Sequence, residues 1–79
     1  MNAYKQILID IAKSIVDDPD KVEVAVNEVE DGTTVLTLSV APDDMGKVIG
    51  KHGRIAKAIR SVIRAAANRA GDRVVVEIQ

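Results

Sequence analysis

The apolar residues of this chain switch period three times, and the order of those switches restricts the fold more than any single motif. Tyr4, Ile7, Leu8, Ile11, Ala12 and Ile15 recur at helical spacing and predict a helix from Ala3 to about Val16. Asn2 is placed to cap it, and Asp17-Asp18-Pro19-Asp20 ends it. Val22, Val24 and Val26 then alternate with Glu23 and Ala25, the period of a half-buried strand. Asn27-Glu28-Val29 breaks the alternation before Glu30 and reads as a bulge. Asp31-Gly32 is a hairpin turn signal, because both residues tolerate positive φ. The returning strand, Thr34 to Val40, sets Leu36, Leu38 and Val40 on one face, and Pro42 closes it.

Helical spacing resumes after Pro42. Asp43 or Asp44 caps a short helix that reaches Ile49 and is interrupted by Gly46. A long helix from Arg54 to Ala70 places Ile55, Ile59, Val62, Ile63 and Ala66 on one side, with Lys57, Arg60 and Arg64 opposite. Gly71 sits at its C-cap. Val74-Val75-Val76-Glu77-Ile78 is a strand apolar enough to lie well inside a sheet. A three-stranded sheet with helices on one face satisfies every apolar stripe, which makes the class α+β. The pattern leaves strand order and direction open. The 79 residues make one domain, residues 1–79, and the 47% apolar content is ample for its core.

Between the two later helices runs Val48-Ile49-Gly50-Lys51-His52-Gly53-Arg54. Two glycines three apart let the backbone turn tightly and approach a ligand without side chains in the way. The helix behind them aims its free N–H groups and positive dipole end at the same place. Lys51 and Arg54 add charge and His52 a further donor, so the constellation suits a sugar-phosphate backbone. Charge is divided to match. Residues 1–44 hold three Lys against ten acids, a balance of −7, while residues 45–79 hold eight Lys or Arg against Asp72 and Glu77, a balance of +6. The net charge of −1 therefore hides a basic half.

These residues carry a family resemblance. Ile49-Gly50-Lys51-His52-Gly53-Arg54, with the helix behind it, resembles the GxxG loop of a KH domain, a module for single-stranded RNA or DNA. The order α-β-β-α-α-β resembles the type II arrangement over nearly the whole chain, and the likeness extends to small bacterial single-KH-domain proteins of the KhpA type. The resemblance implies a mixed sheet and a non-enzymatic RNA-binding protein, a post-transcriptional regulator or RNA chaperone. It assigns Ile49, Gly50, Lys51, His52, Gly53, Arg54 and Ile55 to a groove for about four nucleotides, and Lys57, one turn beyond the loop, is close enough to reach phosphate. It also implies a homodimer, or a heterodimer with a larger KH-containing protein. The alternative is an assembly module that uses the scaffold with little RNA binding.

Other chemistries fit poorly. Gly46 to His52 departs from a nucleotide-binding P-loop in spacing and in lacking Ser or Thr after the lysine. With no cysteine and one histidine, neither a metal centre nor a catalytic residue is expected, and no cofactor. The aspartates around positions 17–20 and 43–44 lack an EF-hand spacing and suit turns and caps. Tyr4 is the only aromatic residue, which excludes base-stacking platforms of the RRM kind. No apolar run approaches the roughly 18 residues of a membrane span, and a cytoplasmic location is expected. Arg64 lies about 15 Å along the axis from Arg54, so it would touch only an extended strand. The apolar arc of the long helix, from Ala65 and Ala58 through Ile55, Ile59 and Ile63 to Ala56 and Ala67, spans roughly 200°. A core-facing stripe needs little more than about 100°, so the flanks suggest self-association, with Ala67 a position to disrupt.

Overall fold

In the structure, a computed structural model describing residues 3–79, α1 spans Ala3–Ile15, and β1 (Glu23–Glu28) and β2 (Thr34–Ser39) form a hairpin. They are followed by α2 (Met45–Ile49), α3 (Arg54–Ala70) and β3 (Val74–Ile78), with single 3-10 turns at Pro19–Lys21, Pro42–Asp44 and Lys51–Gly53. The capping role expected of Asn2 lies outside the described residues. The sheet order is β1-β2-β3, with β1 antiparallel and β3 parallel to β2. Parallel pairing needs a long crossover, and α2, the glycine loop and α3 supply it.

Leu8 and Ala12 of α1, Val24, Leu36, Leu38 and Val76 of the sheet, Val48 of α2, and Ile59 and Ile63 of α3 make one buried cluster. Leu8, Leu36, Leu38, Val48 and Ile63 are fully enclosed, each contributing about 1.5–3 kcal/mol by leaving water. Successive strand residues face opposite ways, so Ala25, Thr37, Val75 and Glu77 occupy the sheet face away from the helices. That face is open, as one-sided coverage requires.

Four expectations are corrected. β1 pairs with β2 without interruption from Glu23 opposite Ser39 to Glu28 opposite Thr34, so there is no bulge. The break in alternation at Asn27-Glu28-Val29 marks the strand's exit into the turn, where Val29 and Thr33 close the loop and Gly32 takes φ +89°. Helix α2 runs through Gly46 in ordinary helical geometry. β3 is an edge strand with Val75 47% exposed, since its apolar content is satisfied by burying one face against the helices.

The fourth concerns Asp44, which caps nothing. Its buried carboxylate accepts the backbone N–H groups of Asp17 at 3.2 Å and Asp18 at 3.1 Å. Lys47 spans Asp17 at 3.1 Å and Asp44 at 3.8 Å, and the hydrogen bond to Asp17 raises its pKa above the usual lysine value. The turn after α1 is thereby fastened to α2, the helix that delivers the chain to the glycine loop.

Candidate nucleic-acid interface

Each glycine of the loop has its own steric reason. Gly50 ends α2 at φ 74°, ψ 172°, a conformation open in practice only to glycine. A Cβ there would lie 2.3 Å from Ile55 Cγ1 and 2.9 Å from the Ile55 backbone nitrogen, so the approach of α3 excludes any side chain. Gly53 is left-handed at φ 73°, ψ 14°, with open space where a Cβ would be. The sequence did not announce that His52 is left-handed as well, at φ 59° and ψ 24°. Three of four loop residues thus have positive φ. The turn is closed by Gly50 N–H to Gly46 C=O at 2.9 Å and Gly53 N–H to Gly50 C=O at 3.1 Å.

The loop presents Lys51, His52 and Arg54 to solvent, and Lys57 is exposed one turn into α3. Ile49 and Ile55, on either side of the glycines, are 39% and 38% exposed and offer an apolar margin. Val48 beside them is fully buried and anchors the approach to the loop. Among the described residues no side chain caps the N-terminus of α3, so the positive end of its dipole meets the loop. The structure therefore brings together all eight residues singled out in the sequence.

Electrostatics favour the same end of the molecule. Helix α3 carries Arg54, Lys57, Arg60, Arg64 and Arg69 and no acid. Among the described residues, none of these nor Lys51 has a carboxylate within 4.0 Å. The other two cations of this half are paired, Lys47 as above and Arg73 with Asp31 at 3.6 Å. Within this half, among the described residues, the positive charge without a carboxylate partner lies in the loop and α3.

Three residues sit differently from expectation. Ala67 is 1% exposed and Ala56 4%, so with Ile59 and Ile63 they form the core stripe of α3. Ala67 is therefore no surface position. Val62, expected on that stripe, is 51% exposed, and with Ala58 and Ala65 it lines the opposite flank. Arg60, grouped in the sequence with ordinary solvent-face cations, donates its Nε–H to the Val76 carbonyl of β3 at 3.3 Å. Helical phase holds the signal: at 100° per residue Arg60 lies only about 20° from Ala67 and about 40° from Ala56.

Comparison with known proteins agrees with this architecture. A crystal structure of Era with MgGDPNP and nucleotides 1506–1542 of 16S ribosomal RNA superposes at TM-score 0.65 and 20% identity, covering 95% of this chain and 28% of Era. Aquifex aeolicus Era bound to GDP.AlF4- superposes at 0.63, also at 20% identity, over 95% of this chain and 29% of Era. At that identity the likeness establishes the fold, a type II KH arrangement. Sequence relatives are nearer. The RNA-binding protein KhpA of Clostridium acetobutylicum is 64% identical over 75 residues, which are 94% of this chain and 97% of the relative. That of Aquifex aeolicus is 49% identical over 78 residues, 99% of this chain and 98% of the relative. The family model described as KhpA/KhpB, KH domain matches residues 5–78, and the chain belongs to that family.

Proposed function

We propose that this protein binds single-stranded RNA without acting on it chemically, gripping the backbone at Gly50 to Gly53. The observation that carries the reading is the exposed loop with Lys51, His52 and Arg54 at the uncapped start of an acid-free helix. Phosphates meet backbone N–H groups and the charges of Lys51, Arg54 and Lys57, while Ile49 and Ile55 support the adjoining bases. The names of the relatives point the same way. In the cell such binding serves post-transcriptional regulation or RNA remodelling.

The exposed flank of α3 supports pairing between two copies. Val62 lies about 140° around the helix from Lys57, Ala58 about 100° and Ala65 about 80°, so pairing centred on Val62 leaves Lys57, Arg60 and Arg64 free. Two joined loops would raise the effective affinity for a longer strand.

The test is titration of labelled single-stranded and duplex RNA at several salt concentrations. The single strand binds better, and three or four neutralised phosphates give a slope of log K against log salt of roughly −2 to −3, from about −0.7 per phosphate. Lys51→Asp combined with His52→Asp abolishes binding with the melting curve retained, since both residues face solvent. Wild-type affinity in that double variant would move the RNA elsewhere, and a flat salt response would end the proposal.

A further inference from the structure

The two outer strands of the sheet are finished differently. On β3 the Val76 carbonyl is taken by Arg60 at 3.3 Å. On β1 the phase of the ladder shows what is left over. Val29 N–H donates to Thr33 C=O at 2.9 Å, one step beyond Glu28 opposite Thr34. Bonded and unbonded pairs alternate between antiparallel strands, so Glu23, Ala25 and Asn27 turn their backbone polar groups to β2. The N–H and C=O groups of Val24, Val26 and Glu28 therefore point outwards, and no described residue is bonded to them.

Edges of this kind are usually blunted by proline, lysine, a bulge or a covering loop. β1 has no proline or lysine and no bulge over a run of about 20 Å. A shallow groove between it and α1 is lined by Lys5, Ile9, Val22, Glu23 and Val24. The charges on the strand are Glu23 and Glu28, with Asp20 before it and Glu30 after it, all exposed. Among the described residues none of these four has a Lys or Arg within 4.0 Å, whereas Asp17 and Asp31 do.

Unpaired acids beside an open backbone edge select the occupant. A second copy laid strand against strand would bring the same acids together, and RNA would bring phosphates to them, so both are repelled. An extended polypeptide with Lys or Arg at alternate positions gains ladder hydrogen bonds and charge pairs at once. We infer that the free edge of β1 is a docking site for an extended basic segment of another protein, which adds to the sheet as a fourth strand. Its alternate side chains fall on the α1 side, over Ile9 and Val24, and on the open face beside Glu23; apolar residues suit the first and basic residues the second. Helix α3 packs against β3 at the other side of the sheet, so RNA held there leaves β1 accessible, and the inference stands apart from the RNA-binding reading.

The probe is a labelled heptapeptide alternating lysine and valine, with a second peptide carrying glutamate in place of lysine. Fluorescence anisotropy shows the lysine peptide binding, more weakly as salt rises, and the glutamate peptide not binding. In the complex, amide exchange read by NMR slows about tenfold or more at Val24, Val26 and Glu28, and changes little at Ala25 and Asn27, which are already bonded to β2. Val26→Pro removes the central outward N–H and none from the ladder to β2, so the fold is kept and the affinity falls about tenfold or more. Glu23→Lys combined with Glu28→Lys transfers the preference to the glutamate peptide. Circular dichroism melts establish that the variants are folded, and the exchange measurement on the wild type needs no variant.

Unchanged exchange at Val24, Val26 and Glu28 with the lysine peptide bound places the contact elsewhere and overturns the inference. Equal binding of the two peptides, no binding at low salt, or full affinity in folded Val26→Pro also overturns it. Slowed exchange at the same three N–H groups that grows with the concentration of protein alone makes a second copy the occupant and overturns it as well. RNA binding is read separately, and none of these results alters it.

Discussion

Replacing Gly50 and Gly53 one at a time by alanine separates two kinds of glycine that the motif presents as equivalent. At Gly53 the new methyl meets nothing within 4 Å, so Gly53→Ala bears only the left-handed backbone, about 1–2 kcal/mol. At Gly50 the methyl would stand 2.3 Å from Ile55 Cγ1, 2.8 Å from Ile55 Cβ and 2.9 Å from Ile55 N. Two of these atoms cannot swing away, because they belong to or adjoin the backbone of α3. A conformation essentially restricted to glycine adds about 1–3 kcal/mol, and displacement of the helix start adds about 1–3 more. Gly50→Ala is therefore expected to cost about 2–6 kcal/mol, much of the total stability of a chain this size. Urea denaturation followed by circular dichroism reads both variants, with a slope near 1 kcal/mol per molar. Combining Gly50→Ala with Ile55→Ala removes Cγ1 and leaves Cβ and N, so it recovers part of the loss and none of the backbone strain. Equal midpoint shifts for the two single variants would refute the reasoning, as would full additivity of the pair.

Other consequences of the packing are open to the same measurements. Asp44→Ala strands the N–H groups of Asp17 and Asp18 and loosens Lys47, and is expected to cost about 2–3 kcal/mol in urea melts. The exposed neighbour Asp43→Ala should stay within about 0.5 kcal/mol, and equal effects would show that the turn is not held by Asp44. If two copies pair through the outer flank of α3, Val62→Glu lowers the sedimenting mass and leaves the melt nearly unchanged. Ala67→Glu buries a charge in the core stripe instead, and is expected to unfold the domain or cost more than about 3 kcal/mol. Sedimentation of wild-type protein as monomer up to near-millimolar concentration would remove the pairing.

Much of the fold could be read from the chain because its determinants are local. The 3.6 and 2 periods place α1, β1, β2, α3 and β3, and Gly71 stops α3 at φ 79° with Asp72 N–H returning to Ala67 C=O at 2.9 Å. The loop was equally plain, since two glycines among cations at a helical joint have few other uses. What the sequence left open depends on which neighbour covers each surface. Its arc on α3 was about 200° wide, and only packing chose Ala56 and Ala67 for the core and left Val62 outside. The strand β3 was apolar enough for an interior place, yet crossover topology set it at the edge. Asp44 looked like a helix cap because caps are local, but its acceptors were claimed by N–H groups 26 and 27 residues away. Arg60 looked like a solvent-face cation until the fold brought a strand carbonyl 16 residues distant to its Nε. Periodicity and turn chemistry are properties of adjacent residues, so the sequence alone determined the elements and the loop. Which side chains share a hydrogen bond or a core is a property of the packed chain, and the tertiary structure alone decided it.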